Sequence, residues 1–189
     1  MQSFYPTLTE GSPFGTGNET FGLSPIFKQT SAIAGDLIFQ APRRYFLKHA
    51  QAFGLKNTYS YLFTQNTNTN TTGFLGVSHG SEIPFVFGLY TSASAQVMNT
   101  AYLAPMEGLS SQMVAYWVNY VNFLNPNGNI SSPTSQAVAK QLNLTSWPLY
   151  GGGIGNMLQL HGGNLTAIQD DFRPGPIDYM SSLGSAILQ

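Results

Sequence analysis

Apolar residues recur along this chain with two distinct periods. From about Ser31, Ile33, Leu37, Ala41 and Tyr45 return every four residues, and Ile38 and Phe46 widen the stripe. That spacing predicts an amphipathic helix with this face against a core. Pro42 falls inside it, where the missing N–H and the crowding of the carbonyl four residues back predict a kink or a split. Tyr59-Ser60-Tyr61-Leu62-Phe63 alternates around aromatic side chains and reads as a strand. Residues 65–72, almost all Asn and Thr, read as a surface loop. Over residues 108–124, Leu109, Met113, Trp117, Val121 and Leu124 share one helical face, and Asn125-Pro126-Asn127-Gly128 supplies a stop. Met and Trp at that spacing are core residues rather than cofactor contacts. A Ser-, Gly- and Pro-rich loop is expected through Trp147-Pro148-Leu149-Tyr150, then a short strand at residues 157–160 and a polar tail containing Asp170-Asp171-Phe172-Arg173. Residues 1–25 are rich in Gly, Pro, Ser and Thr and read as loop. Neither an internal repeat nor an interdomain linker is visible.

Helices and strands therefore alternate, but only two or three strands are expected. A free-standing α/β domain covers both faces of a larger parallel sheet. The pattern predicts an α/β chain forming the last strands and packing helices of such a sheet, incomplete as a domain.

Composition sharpens the picture. With 42% hydrophobic and 13% aromatic residues, a packed core is expected and general disorder is not. Only 8% of residues are charged, so Ser, Thr, Asn and Gln must wet the surface. A net charge of −1 offers no footprint for phosphate backbones, which argues against nucleic-acid partners. Without cysteine there is no disulfide framework, thiolate metal site or cysteine nucleophile. Asn18, Asn70, Asn129, Asn143 and Asn164 head Asn-x-Ser/Thr sequons and are glycosylation candidates, which leans towards a secretory origin. The amino-terminal residues do not read as a signal peptide, and no apolar run is long enough for a transmembrane helix. Sequons without an export signal point to a missing upstream part.

Several motifs invite chemistry. Gly76-Val77-Ser78-His79-Gly80 matches G-x-S-x-G, and Ser78, Glu107 and His161 even succeed one another in serine–acid–histidine order. A nucleophile elbow, however, needs a buried strand running into the first glycine and a helix leaving the second. A polar loop precedes here and Pro84 interrupts the segment downstream, which disfavours Ser78 as nucleophile. His161-Gly162-Gly163-Asn164 resembles an oxyanion loop but comes too late in the chain and reads as a turn. Gly151-Gly152-Gly153-Ile154-Gly155 lacks the setting of a dinucleotide fingerprint. Histidines at 49, 79 and 161 have no metal-ligand spacing, so neither a metal nor a cofactor is expected; His49, beside Lys48, reads as solvated. His79 can be a loop histidine capped by carbonyls or a general base. Spacing does not decide between them.

A longer ordered set of motifs does carry a resemblance. It runs from Tyr5-Pro6, Gly11-Ser12-Pro13-Phe14-Gly15-Thr16-Gly17 and Phe27-Lys28-Gln29 through Gly35-Asp36, Pro42-Arg43-Arg44 and Tyr59-Ser60-Tyr61-Leu62-Phe63. Leu75-Gly76-Val77-Ser78-His79-Gly80-Ser81-Glu82-Ile83-Pro84-Phe85-Val86-Phe87-Gly88, Trp117-Val118-Asn119, Asn125-Pro126-Asn127, Trp147-Pro148-Leu149-Tyr150 and Asp171-Phe172-Arg173 continue it. Together they resemble fungal lipases of the type-B carboxylesterase family, α/β hydrolases that include the cholinesterases. The resemblance implies that residues 1–189 are the C-terminal portion of a carboxylesterase type-B domain. It implies His79 as the triad histidine, Ser78 as a loop residue and Glu82 as a buried support of the histidine loop, with Asp36 a helix position. The family's serine elbow, oxyanion glycines and triad acid are expected upstream, in a missing N-terminal portion. The implied function is the C-terminal fragment of a serine carboxylic-ester hydrolase, inactive alone, whose full-length form is secreted and acts on small-molecule or lipid esters. A non-catalytic binding or adhesion module on the same scaffold is the alternative.

Overall fold

The structure, a computed structural model, describes residues 4–6, 19–24, 26–67, 73–90 and 104–187. The glycine-rich motif at residues 11–17, together with Asn18 and Asn70, lies outside the described residues. The chain divides into two compact units, residues 1–55 with 171–189, and residues 56–170.

The first unit is helical. Helix α1 (Ile26–Gly35) passes through a π-helical turn (Asp36–Gln40) into α2 (Ala41–Ala52), and α6 (Pro174–Ile187) completes the unit. Pro42 does not end the helix. The Ala41 N–H reaches back five residues to the Asp36 carbonyl, and this wider turn sits directly before the proline ring that would otherwise crowd the carbonyl at Ile38. The inserted residue also rotates the helix face. Ala32, Asp36, Ala41, Arg44 and Leu47 are buried, whereas Leu37, Ile38 and Phe46 of the expected stripe are exposed. Ala32, Ala41, Tyr5, Ile177 and Met180 form the core. Buried beside it, Asp36 accepts hydrogen bonds from the Tyr5 hydroxyl at 2.7 Å and from Arg173 Nε at 2.7 Å, and pairs with the second Arg173 nitrogen. Burial, followed by the Asp36 carboxylate, raises the Tyr5 phenol far above its ordinary value. Arg44 and Arg173 flank the Phe172 ring at 5.1 and 5.0 Å from its centre. The polar tail expected around residue 171 is in fact the lead-in to α6, a helix that buries Ile177 and Met180.

The second unit holds a three-stranded sheet in the order β1 (Tyr61–Phe63), β2 (Asn156–Leu160), β3 (Thr166–Gln169). β1 pairs parallel with β2, Tyr61 opposite Leu158 and Phe63 opposite Leu160. β3 returns antiparallel, Met157 opposite Ile168. Between β1 and β2 run a short α3 (Ile83–Val86), the long α4 (Ala104–Phe123) and α5 (Pro133–Gln141). Such a crossover is what a parallel pair requires. Met106, Leu109, Met113 and Tyr116 of α4 are buried against Leu158 and Leu160 of β2, with Phe85, Tyr90 and Trp147. The expected α4 stripe is therefore correct only in its first half. Val121 is 78% exposed and Leu124 is also exposed, because the buried line runs from Met113 to Tyr116 instead. Leu124 takes a positive φ of 53° where the helix stops, ahead of Asn125-Pro126. Both α5 and β3 arise where the sequence pattern predicts only loop and tail.

The expectation of an incomplete remnant of a sheet is corrected here. Helices and a three-stranded sheet extend through the described residues from Ile26 to Ile187, and each unit buries its own apolar cluster.

Candidate functional site

His79 stands on a loop between a 3₁₀ turn (Gly73–Leu75) and α3. Two successive turns shape it: the Ser81 N–H donates to the Ser78 carbonyl and the Ile83 N–H to the Gly80 carbonyl, each at 3.1 Å. The Ser81 hydroxyl adds a second bond to the Ser78 carbonyl at 2.7 Å. Gly80, directly after the histidine, has a φ of 84°, a conformation that side chains with a Cβ disfavour. The turn that presents the imidazole thus demands glycine at this position. His79 itself is exposed.

Behind the loop, Phe85 fastens it to the core. Its ring is fully buried, stacks on Tyr90 at 4.1 Å between centres and meets Phe63 edge-on at 5.1 Å. Its carbonyl accepts the Ser110 hydroxyl of α4 at 3.0 Å. Pro84 occupies the first turn of α3, where its missing N–H costs nothing. Two residues beyond Phe85, Phe87 turns towards solvent and is 73% exposed. With Val77, Ile83 and Leu89 it gives the histidine loop an apolar exposed rim.

Glu82 lies three positions beyond His79 and is half-buried rather than enclosed. Its carboxylate accepts the Tyr61 hydroxyl of β1 at 3.4 Å. Burial, then the Glu82 charge and hydrogen bond, push the Tyr61 phenol up to about 12. Tyr61 is in turn packed edge-on against Trp117 at 5.4 Å and Trp147 at 6.1 Å. The sheet thereby reaches the histidine loop through a tyrosine that the sequence pattern marks only as a strand aromatic. Its place directly after Ser60 in an aromatic alternation was the one available signal.

The other sequence candidates separate. Ser78 is exposed, and a 3₁₀ turn rather than a strand leads into its glycine, so the elbow geometry is not met. His161 lies just past β2, its Nδ1 3.2 Å from the Thr64 carbonyl, with Gly162 and Gly163 forming a turn. His49 is exposed at the end of α2, stacked on Tyr45 at 3.9 Å. Asp36 is committed to Arg173 and Tyr5 in the first unit. Among the described residues, no three His, Asp or Glu side chains group as metal ligands, and no helix is long and apolar enough to cross a membrane. Asn129, Asn143 and Asn164 are exposed.

Residues 22–171, which include the whole of this loop and its supports, match the Carboxylesterase family. The chain belongs to that family. It is 32% identical to Lipase 2 of Diutina rugosa over 92% of this chain and 26% of that protein. Lipase 1 of Geotrichum candidum is 33% identical over 90% of this chain and 24% of its own length. Secreted lipase 1 of Botryotinia fuckeliana is 34% identical over 93% of this chain and 26% of its own length. These carboxylesterase relatives are fungal lipases, and the last is named as secreted.

The matches revise the remaining expectations. The resemblance is a property of nearly the whole chain, over 90% or more of it for each of the three relatives. Together with the two packed units, this corrects the expectation of a truncated C-terminal fragment lacking most of the fold. The chain spans about a quarter of the length of the curated relatives it matches.

Proposed function

We propose that the chain serves in carboxylic-ester hydrolysis, with His79 as general base and acid and Glu82, held by Tyr61, as the support of its loop. The substrate is a lipid or small-molecule ester, and the protein acts outside the cell. No cofactor takes part. The observation that carries this reading is the mounting of His79: an exposed imidazole on a tight Gly80 turn, fastened to a packed core by Phe85, in a chain of the carboxylesterase family.

In the reaction, the imidazole takes the proton of a serine hydroxyl as that oxygen attacks the ester carbonyl, and returns it to the departing alkoxide. Water then cleaves the acyl-enzyme by the same relay, releasing the carboxylic acid. Ser78 is given no nucleophilic part, since no strand delivers it. The apolar rim of Val77, Ile83, Phe87 and Leu89 supports an apolar substrate, because it offers hydrocarbon contact beside the proton-transfer group.

The test compares histidines. In the natural polypeptide that carries this chain, kcat/KM for p-nitrophenyl butyrate falls about 10²–10⁴-fold in His79→Ala. His161→Ala stays within a few-fold of the parent. Equal losses in the two variants, or none in the first, remove His79 from the chemistry.

A further inference from the structure

We propose that Asn164 is an N-glycosylation acceptor, and that the second unit carries its glycans around the hollow beside α5. The reading does not depend on the role of His79.

Asn164 closes the turn that leaves β2, its own N–H donating to the His161 carbonyl at 2.9 Å. Leu165 is half-buried, and its carbonyl accepts the Thr145 hydroxyl at 3.0 Å, which pins the turn while Asn164 stays exposed. Across the sequon, the Thr166 hydroxyl donates to Asn164 Oδ1 at 2.7 Å. That bond engages the carboxamide oxygen, while Nδ2 donates to no described residue. In the transfer, Nδ2 forms a C–N bond to the anomeric carbon of an oligosaccharide carried on a polyprenyl diphosphate. The anomeric C–O bond breaks, its electron pair leaves with the diphosphate, and one amide proton is lost.

Residues next to two other sequon asparagines line one hollow of the second unit. A hollow of about 210 Å³ is lined by Tyr116, Ile130, Gln136, Leu144 and Thr145, among others. Ile130 follows Asn129, Leu144 follows Asn143, and Thr145 holds Leu165, which follows Asn164. Asn129 is exposed, with its Oδ1 accepting the Ser131 N–H at 3.1 Å, and Asn143 is exposed at the end of α5. Ile130 beside them is 70% exposed.

The test is peptide mass spectrometry of the chain secreted from a eukaryotic host behind a supplied export signal. Enzymatic glycan release in ¹⁸O water turns each modified asparagine into labelled aspartate, and fragment spectra assign the position. Asn164 is expected to carry the label, with Asn129 or Asn143 labelled as well. Thr166→Ala should lose the Asn164 label and Thr166→Ser should keep it. An unlabelled Asn164 in the secreted parent chain overturns the acceptor, and unlabelled Asn129 and Asn143 overturn the glycan-covered hollow. Should Thr166→Ala fail to reach the medium, the parent spectra alone decide.

Discussion

Truncating Phe85 to alanine tests whether the histidine loop is anchored where the structure places its anchor. The ring is fully buried between Phe63, Tyr90 and the residues of α4. Burying a phenylalanine removes roughly 150–250 Å² from water. At about 25 cal/mol per Å² that corresponds to about 4–6 kcal/mol as an upper figure. Measured Phe→Ala costs in cores, about 3–5 kcal/mol, agree with it. The matched control is Phe87→Ala, two residues on and 73% exposed, which should change stability by no more than about 0.5 kcal/mol. Urea unfolding monitored by tryptophan fluorescence suits the comparison, since Trp117 and Trp147 both belong to the cluster that Phe85 joins. A midpoint shift for Phe85→Ala equivalent to at least about 3 kcal/mol, with Phe87→Ala near the parent, is the expected pair of results. Equal shifts in the two variants, or less than about 1 kcal/mol for Phe85→Ala, would show that the loop is not held by this ring.

Two further predictions concern the polar contacts. Asp36→Asn removes the charge that balances Arg173 in the first unit; since Arg173 is partly exposed, the loss should sit at or below the low end of about 3–5 kcal/mol. Hydrogen exchange should then quicken in α1 and α6 but not in β1–β3, and unchanged protection in both helices would refute the assignment. Tyr61, raised to about 12 from 10.0, keeps its proton in the folded chain over a window where the unfolded chain has lost it. The stability this contributes is complete below pH 10 and is lost as the pH climbs towards 12. Alkaline unfolding of Tyr61→Phe should be less steep through that window than that of the parent, and an identical slope would contradict the contact with Glu82.

The positions of the first helices, β1, α4 and β2 were legible in the chain because each carries a regular apolar spacing. Which faces they bury was less so. The π turn at residues 36–40 moves the buried line of α1–α2 to Asp36 and Arg44, polar residues whose burial depends on partners more than a hundred residues away. Periodicity cannot register such partners. In α4 the aromatic Tyr116 finds the Thr145 carbonyl at 2.6 Å and turns inward, while Val121, though apolar, stays out. The strand β3 was missed because its Thr-Ala-Ile-Gln sequence is held by pairing to β2 and has little apolar pattern of its own. At the site, the glycines flanking His79 announced a turn, and the ordered motifs announced the family. The Tyr61–Glu82 contact joins residues twenty-one positions apart, and only the fold brings them together.

Restoring the missing base from solution tests the proton-transfer role most directly. In His79→Gly, prepared in the natural polypeptide that carries this chain, hydrolysis of p-nitrophenyl butyrate should be almost abolished. Added imidazole should restore it in a saturable manner, above the rate at which imidazole cleaves the ester unaided and above any effect on the parent protein. A variant that keeps its activity without imidazole would contradict the account.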